Sequence, residues 1–152
     1  MADELSTLED WATPLLAALS GPERRRLARE VGQALRRSQS TRIASQLNPD
    51  GSRFDPRKAQ TSQARQQKGK IRRSMFTKLR TARLLKILLD VEGVSVGFTG
   101  RTSRIARVHQ EGQADEVRAG GPKVRYPQRQ LLGFTDADHE LIRDLILQHV
   151  SG

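Results

Sequence analysis

The apolar positions at the start of the chain recur every three or four residues. Leu5, Leu8, Trp11, Leu15, Leu16 and Leu19 fall on one face of a helix over 3–19. Asp3 and Glu4 suit its N-terminal end through the macrodipole. Pro14 interrupts the pattern, because an interior proline removes a hydrogen bond and crowds the preceding turn. The stretch reads as one helix or as two short ones, with Thr13 capping the second. Ser20-Gly21-Pro22-Glu23 is a second start signal: Ser20 caps, Glu23 sits three residues on, and Pro22 is tolerated in the first turn. Leu27, Val31, Ala34 and Leu35 then mark one face, with Ile43 and Leu47 extending it. This predicts a long helix from about 22 to 46, stopped by the turn Asn48-Pro49-Asp50-Gly51.

Beyond the turn the pattern fades. Residues 52–70 hold one large apolar residue, Phe54, among Gln, Lys, Arg, Ser and Gly. Such a composition does not offset its ordering entropy alone, so it reads as a flexible basic loop or arm. Residues 71–80 place Ile71, Met75, Phe76 and Leu79 on one helical face. The run 83–89 fits either a helix or a buried strand. Asp90-Val91-Glu92-Gly93 followed by Val94-Ser95-Val96-Gly97-Phe98 favours a β-hairpin. Thr99 to Thr102 breaks the strand, Ser103 to Gln110 reads as a short helix, and Gly112 ends it. Residues 112–122 read as a loop rich in glycine and charge. Val124-Arg125-Tyr126-Pro127 is extended, since the residue before proline avoids helix. Thr135 caps a last helix over 136–150, with Asp136 and Asp138 in its first turn and Leu141, Ile142, Leu145, Ile146 and Val150 inward. The predicted fold class is α+β, with four or five helices packed on a small antiparallel sheet. A single domain over 1–152 is expected, with 52–70 as its loop.

Charge adds a strong asymmetry. The 152 residues carry 27 Lys and Arg against 17 Asp and Glu, a net +10. Residues 1–20 hold −4, residues 21–83 hold +14, and residues 84–152 balance. One contiguous stretch thus holds the whole positive excess and points to a polyanion, an anionic surface or an acidic protein. Arg24, Arg25, Arg26, Arg29, Arg36 and Arg37 line the second helix, which suits generic phosphate contact. With only six aromatic residues, base stacking on single strands is disfavoured. The N-terminus is acidic and does not resemble a signal peptide, and no apolar run approaches a membrane span. A soluble protein made inside the cell is therefore expected.

Candidate chemistry narrows the reading further. The chain has no cysteine, which excludes disulfides, thiolate metal sites and cysteine nucleophiles. His109, His139 and His149 are dispersed and form no metal-ligand spacing, and the last two read as surface residues of the terminal helix. Gly93, Gly97 and Gly100 lack the Gly-Lys-Ser/Thr of a phosphate loop. Asp136 and Asp138 read as helix-start acids. No catalytic residue, cofactor site or metal site is assigned, and an enzyme is the weakest reading.

A more specific pattern lies in the order of the segments. Val94-Ser95-Val96-Gly97-Phe98-Thr99-Gly100 is followed by Ile105-Ala106-Arg107-Val108-His109-Gln110-Glu111-Gly112, and then by Val124-Arg125-Tyr126-Pro127-Gln128-Arg129-Gln130-Leu131-Leu132-Gly133-Phe134-Thr135. The N-terminal part agrees, with Glu23-Arg24-Arg25-Arg26, Gly32-Gln33-Ala34-Leu35-Arg36 and Asn48-Pro49-Asp50-Gly51-Ser52 before Phe54. Met75-Phe76 with Lys78-Leu79-Arg80 fits too. From about 8 to 150, the chain resembles the phage virion morphogenesis family, the tail-completion proteins of contractile-tailed and Mu-like phages. It departs at Glu111, where relatives carry an aromatic, and at Gln128-Arg129-Gln130, where they carry Ala-Arg-Glu.

The resemblance implies a structural role at the head-proximal end of the tail, completing the tail and enabling head–tail joining. It implies a likeness to ring-forming neck and tail-terminator proteins, with self-association into a ring, expected as a hexamer. Partners would be tail tube or sheath proteins and head-connector proteins, with no membrane and no cofactor. The place would be the virion, after assembly in the host cytoplasm. Interface candidates are Phe54, Arg57, Lys58, Arg65, Lys68 and Lys70 in the basic loop. A second group is the corner formed by His109, Gln110 and Glu111 with Arg125, Tyr126, Pro127 and Arg129. For Arg125 and Arg129 taken singly, plain solvation is the simpler expectation. Non-specific DNA contact through Arg65, Lys68, Lys70, Arg72 and Arg73 is a secondary expectation. The alternative function is a basic DNA-binding regulatory or architectural protein.

Overall fold

The computed structural model describes residues 2–56, 74–91, 93–116 and 119–151. Most of the expected basic loop, and Ile71, lie outside the described residues. The element order is α1 (Ala2–Ala17), α2 (Gly21–Ala44), β1 (Lys86–Leu89), β2 (Val94–Gly97), α3 (Gly100–Glu111), β3 (Ala114–Glu116), β4 (Lys123–Arg125) and α4 (Asp136–Ser151). The class is α+β, as the sequence suggests, but the strands form two separate antiparallel hairpins, β1–β2 and β3–β4.

Helix α2 is the spine. Its start is the capping box expected at Ser20: the Glu23 N–H donates to Ser20 Oγ at 3.2 Å, and the Ser20 N–H donates to Glu23 Oε2 at 3.0 Å. Its N-terminal half packs Leu27, Val31 and Leu35 against α1 and α4, in a cluster completed by Ala12, Leu19 and Ile146. Its C-terminal end enters a second cluster through Ile43, with Phe54, Met75, Ala106 and Leu131. Ile43, Leu85 and Leu131 are fully buried, each stabilising the fold by about 1.5–3 kcal/mol.

The β1–β2 hairpin lies against the same helix. Ile87 pairs with Val96 and Leu89 with Val94. A Cβ placed on Gly32 would stand 2.7 Å from Ile87 Cγ2 and 2.8 Å from Val94 Cγ2. Glycine at position 32 is what lets the hairpin seat on α2.

A polar seam joins the two clusters. Thr135 caps α4: its Oγ1 accepts the Asp138 N–H at 3.0 Å, and Asp138 Oδ2 accepts the Thr135 N–H at 3.0 Å. The fully buried Asp138 also accepts a short hydrogen bond from the Ser38 hydroxyl of α2. Nearby, Arg42 donates to the carbonyls of Leu47, Gln130 and Leu131 at 2.7, 2.8 and 2.6 Å, and to Gln39 Oε1 at 2.6 Å. Burial lowers the Arg42 pKa from its ordinary value, and the Asp138 charge opposes that shift.

Several expectations change. Helix α1 is continuous through Pro14, and Thr13 caps nothing: its Oγ1 donates to the Glu9 carbonyl at 2.7 Å. Residues 75–80 form turns and no helix, because Phe76 adopts φ 67 and leaves the helical path. Helix α3 begins at Gly100, so the expected strand break is its first turn. The expected 112–122 loop contains β3 and leads into β4. His139 and His149 are not surface residues. His139 is buried and stacks on Phe134 with ring centroids 5.6 Å apart, and His149 Nε2 meets Glu30 Oε2 of α2 at 2.7 Å.

Candidate functional site

A cleft of about 1220 Å³ opens beside the second cluster. Four stretches of chain build it: Asp55–Pro56, the 75–79 turn, the middle of α3, and the strand-to-coil segment 124–129.

An aromatic ladder forms its wall. Phe54 meets Phe76 edge to face at 5.7 Å, Phe76 meets His109 at 4.9 Å, and His109 meets Tyr126 at 5.0 Å. Such pairs add about 0.5–1.5 kcal/mol each beyond area burial. Met75, Leu79, Ile105, Val124 and Pro127 complete the apolar lining, with Lys78 and Arg125 exposed at its edge. Phe76 occupies the left-handed region that bulky residues rarely enter, so the surrounding bonds must hold it there.

Next to Phe76, a glutamine side chain pairs with backbone. Gln46 Oε1 accepts the Met75 N–H at 2.8 Å, and its Nε2 donates to the Met75 carbonyl at 2.9 Å. Gln110 does the same for Leu132, accepting its N–H at 2.9 Å and donating to its carbonyl at 2.8 Å. The 126–132 segment is also stitched to the end of α3. The Arg129 N–H donates to the His109 carbonyl at 2.7 Å, and Tyr126 N–H to the Gln113 carbonyl at 3.0 Å. Gly112, at φ 67, ends α3 and leaves room for the Gln128 backbone, whose nitrogen would lie 3.1 Å from any Cβ there.

The corner residues read from the sequence therefore separate. His109, Arg125, Tyr126, Pro127 and Arg129 all line the cleft. Gln110 does not; its side chain is spent on Leu132. Glu111 is exposed and accepts from Gln113 Nε2 at 2.5 Å. Phe54 is a core residue, 5% exposed, that reaches the cleft only through Phe76. Plain solvation does not describe Arg129, which is 4% exposed: its Nε donates to the Asp55 carbonyl at 2.7 Å and a terminal nitrogen to the Pro56 carbonyl at 3.2 Å. Arg125 is exposed and donates to the Gly112 carbonyl at 3.2 Å. Arg57, Lys58, Arg65, Lys68, Lys70, Arg72 and Arg73 lie outside the described residues.

The cleft residues that sequence reasoning missed include Met75, Lys78, Leu79, Ile105 and Val124, together with Phe76 as the centre of the ladder and Asp55, Pro56 and Thr77 at the side. An apolar group adjoining a strongly basic segment was their available signal. Among the described residues, no group of three or more His, Asp or Glu is placed to hold a metal ion. None of the described helices is long and apolar enough to cross a membrane. An apolar, aromatic-walled cleft with cations at its mouth suits the capture of a protein segment carrying apolar and acidic side chains.

The comparisons with known proteins agree with an assembly role. The chain is 42% identical over 149 residues to "Tail completion protein S" of Escherichia phage P2, covering 97% of this chain and 98% of that protein. No solved structure matches significantly. The model of the phage virion morphogenesis family matches residues 3–151, nearly the full length, and the chain belongs to that family.

Proposed function

We propose that this protein completes the phage tail at the end that meets the head, and that it does so by binding alone, without catalysis. The observation that carries the reading is the 42% identity to a tail completion protein over nearly the full length of both chains. In this reading copies of the chain close into a six-membered ring on the tail tube, and the ring offers the head connector its docking surface. A closed ring requires a heterologous interface, in which two different patches of one chain meet between neighbours. The cleft walled by Phe76, His109 and Tyr126 supports the reading as one of those patches. The finished protein would reside in the virion, after assembly in the host cytoplasm.

The test is an early stop codon in this gene of the phage that carries it. Electron microscopy of the lysate should then show filled heads and separate tails, with joined particles restored by supplying the chain in trans. End-on averages of complemented tails should show a six-fold ring at the head-proximal tip. Joined, infectious particles formed without the chain would overturn the proposal.

A further inference from the structure

The tip of the β1–β2 hairpin is the most exposed apolar feature of the described chain. Val91 is fully exposed, and Leu88 and Leu89 are 42% and 49% exposed. Isolated apolar residues on a surface need no explanation, but here three exposed ones gather at one tip, Leu88 and Leu89 on opposite faces of the strand and Val91 in the turn. The tip is held in shape: the Asp90 N–H donates to the Gly93 carbonyl at 3.0 Å, and the Gly93 N–H donates to Asp90 Oδ1 at 2.9 Å. A preformed turn loses little conformational entropy on docking. Its sequence, Leu88-Leu89-Asp90-Val91-Glu92, alternates apolar anchors with two acids.

The cleft has the opposite character. Its walls are aromatic and aliphatic, Ile105 is half-exposed within it, and Lys78 and Arg125 are exposed cations on its edge. Apolar tip matches apolar wall, and the Asp90 acid matches the bases.

The tip cannot reach the cleft of its own chain. Ile87 and Val94 are seated on Gly32, near the middle of α2, whereas the cleft wall is tied to Gln46, beyond the end of that helix. Twelve residues of helical rise, from Gly32 to Ala44, already separate them by roughly 18 Å. The strands join the tip to the cleft-side cluster at its base, where Phe98 packs, so the turn lies at the far end of the hairpin. Two complementary patches that cannot meet within one chain are the arrangement a head-to-tail contact between copies requires.

We infer that the hairpin tip of one copy docks in the Phe76–His109–Tyr126 cleft of the next, with Val91 as the apolar anchor and Lys78 and Arg125 facing Asp90 of the turn. The inference rests on the ring reading above and names its interface.

Val91→Asp and Ile105→Asp test it. Both residues are exposed, so both variants should fold, which circular dichroism and thermal melting will show. Each places a carboxylate where the contact needs an apolar group. Light scattering should find the wild type in rings, and assembly of each variant weakened about tenfold or more. Mixed in equal amounts, the two variants retain one intact tip and one intact cleft between them. They should therefore form one-to-one dimers and stop there. Variants that assemble like the wild type, or a mixture that stays monomeric while the wild type forms rings, would overturn this interface and leave the ring reading standing. A wild-type chain that stays monomeric both free and on tails would overturn the ring reading, and this inference with it.

Discussion

The side-chain amide of Gln46 pairs with both backbone groups of Met75, across 29 residues of sequence. Gln46 stands at the position after the cap of α2, where its own φ is 60. Its N–H donates to the Ile43 carbonyl and the Leu47 N–H to the Arg42 carbonyl, the two bonds of a Schellman ending. Glycine is the usual occupant there, and α3 uses one, Gly112. In α2 the side chain is needed more than the easier backbone, because it holds the turn that carries Phe76.

Two substitutions at Gln46 separate these effects. Gln46→Ala keeps the backbone strain and leaves the buried Met75 groups unpaired, lowering stability by about 2 kcal/mol. Gln46→Gly loses the same bonds but relieves the left-handed strain, recovering about 1 kcal/mol. Denaturant unfolding should rank wild type above Gly, and Gly above Ala. Equal stability of the two variants would mean that position 46 carries no backbone strain.

Gly32→Ala pits helix propensity against packing. Alanine favours the helix by about 1 kcal/mol. Its methyl would press on Ile87 and Val94 at 2.7 and 2.8 Å. Both neighbours are β-branched and stiff at χ1, so overpacking of about 1–3 kcal/mol prevails. Net destabilisation is expected, with amide shift changes concentrated in 86–97 and small in α1 and α4.

Local signals made much of the frame legible, and non-local bonds made the rest opaque. The Ser20–Glu23 capping box, the Asn48–Gly51 turn, the hairpin around Asp90–Gly93 and the Thr135 cap each rest on partners within a few residues. The 75–80 segment does not. Its apolar spacing fits a helix, but Gln46 claims the Met75 backbone and Phe76 turns aside. Arginine usually means solvent, yet Arg42 and Arg129 are buried because carbonyls more than 70 residues away accept from them. The cleft was half legible: His109, Arg125, Tyr126, Pro127 and Arg129 belong to one contiguous pattern. Its opposite wall comes from a stretch whose conformation no local pattern specifies.

Acid should loosen the exposed turn after α2 only at low pH. The Ser52 hydroxyl and N–H donate to Asp50 Oδ1 at 2.5 and 2.9 Å, holding its pKa below the ordinary 3.8. A depressed folded value means that this stabilisation is complete above pH 3.8 and is lost as pH falls through the lower folded value. Carbon-detected titration of the Asp50 carboxyl should place its midpoint below the unfolded one. Ser52→Ala should move it back up, since the hydroxyl is the largest cause of the shift.

Arg42 sits where the two hydrophobic clusters meet, 8% exposed, with four hydrogen bonds from two terminal nitrogens. A lysine ammonium is a compact donor that cannot span acceptors placed for a planar fork. Arg42→Lys is therefore expected to cost about 2–3 kcal/mol, as some charged hydrogen bonds are kept and others lost. Arg42→Met removes the charge but leaves the carbonyls of Leu47, Gln130 and Leu131 unpaired and Asp138 without its nearby cation, at about 3–5 kcal/mol. The damage should be uneven. The amides of Arg129, Gln130 and Leu132 are bonded to His109, Asn48 and Gln110, so they depend on the 129–132 segment staying in the gap between the end of α3 and the turn after α2, where Arg42 holds its carbonyls. Hydrogen exchange in Arg42→Met should rise most at these three amides, and less at Val31 and Leu35 in the other cluster. If exchange rises equally at both sets, the loss is one of global stability, and Arg42 does not hold this segment locally.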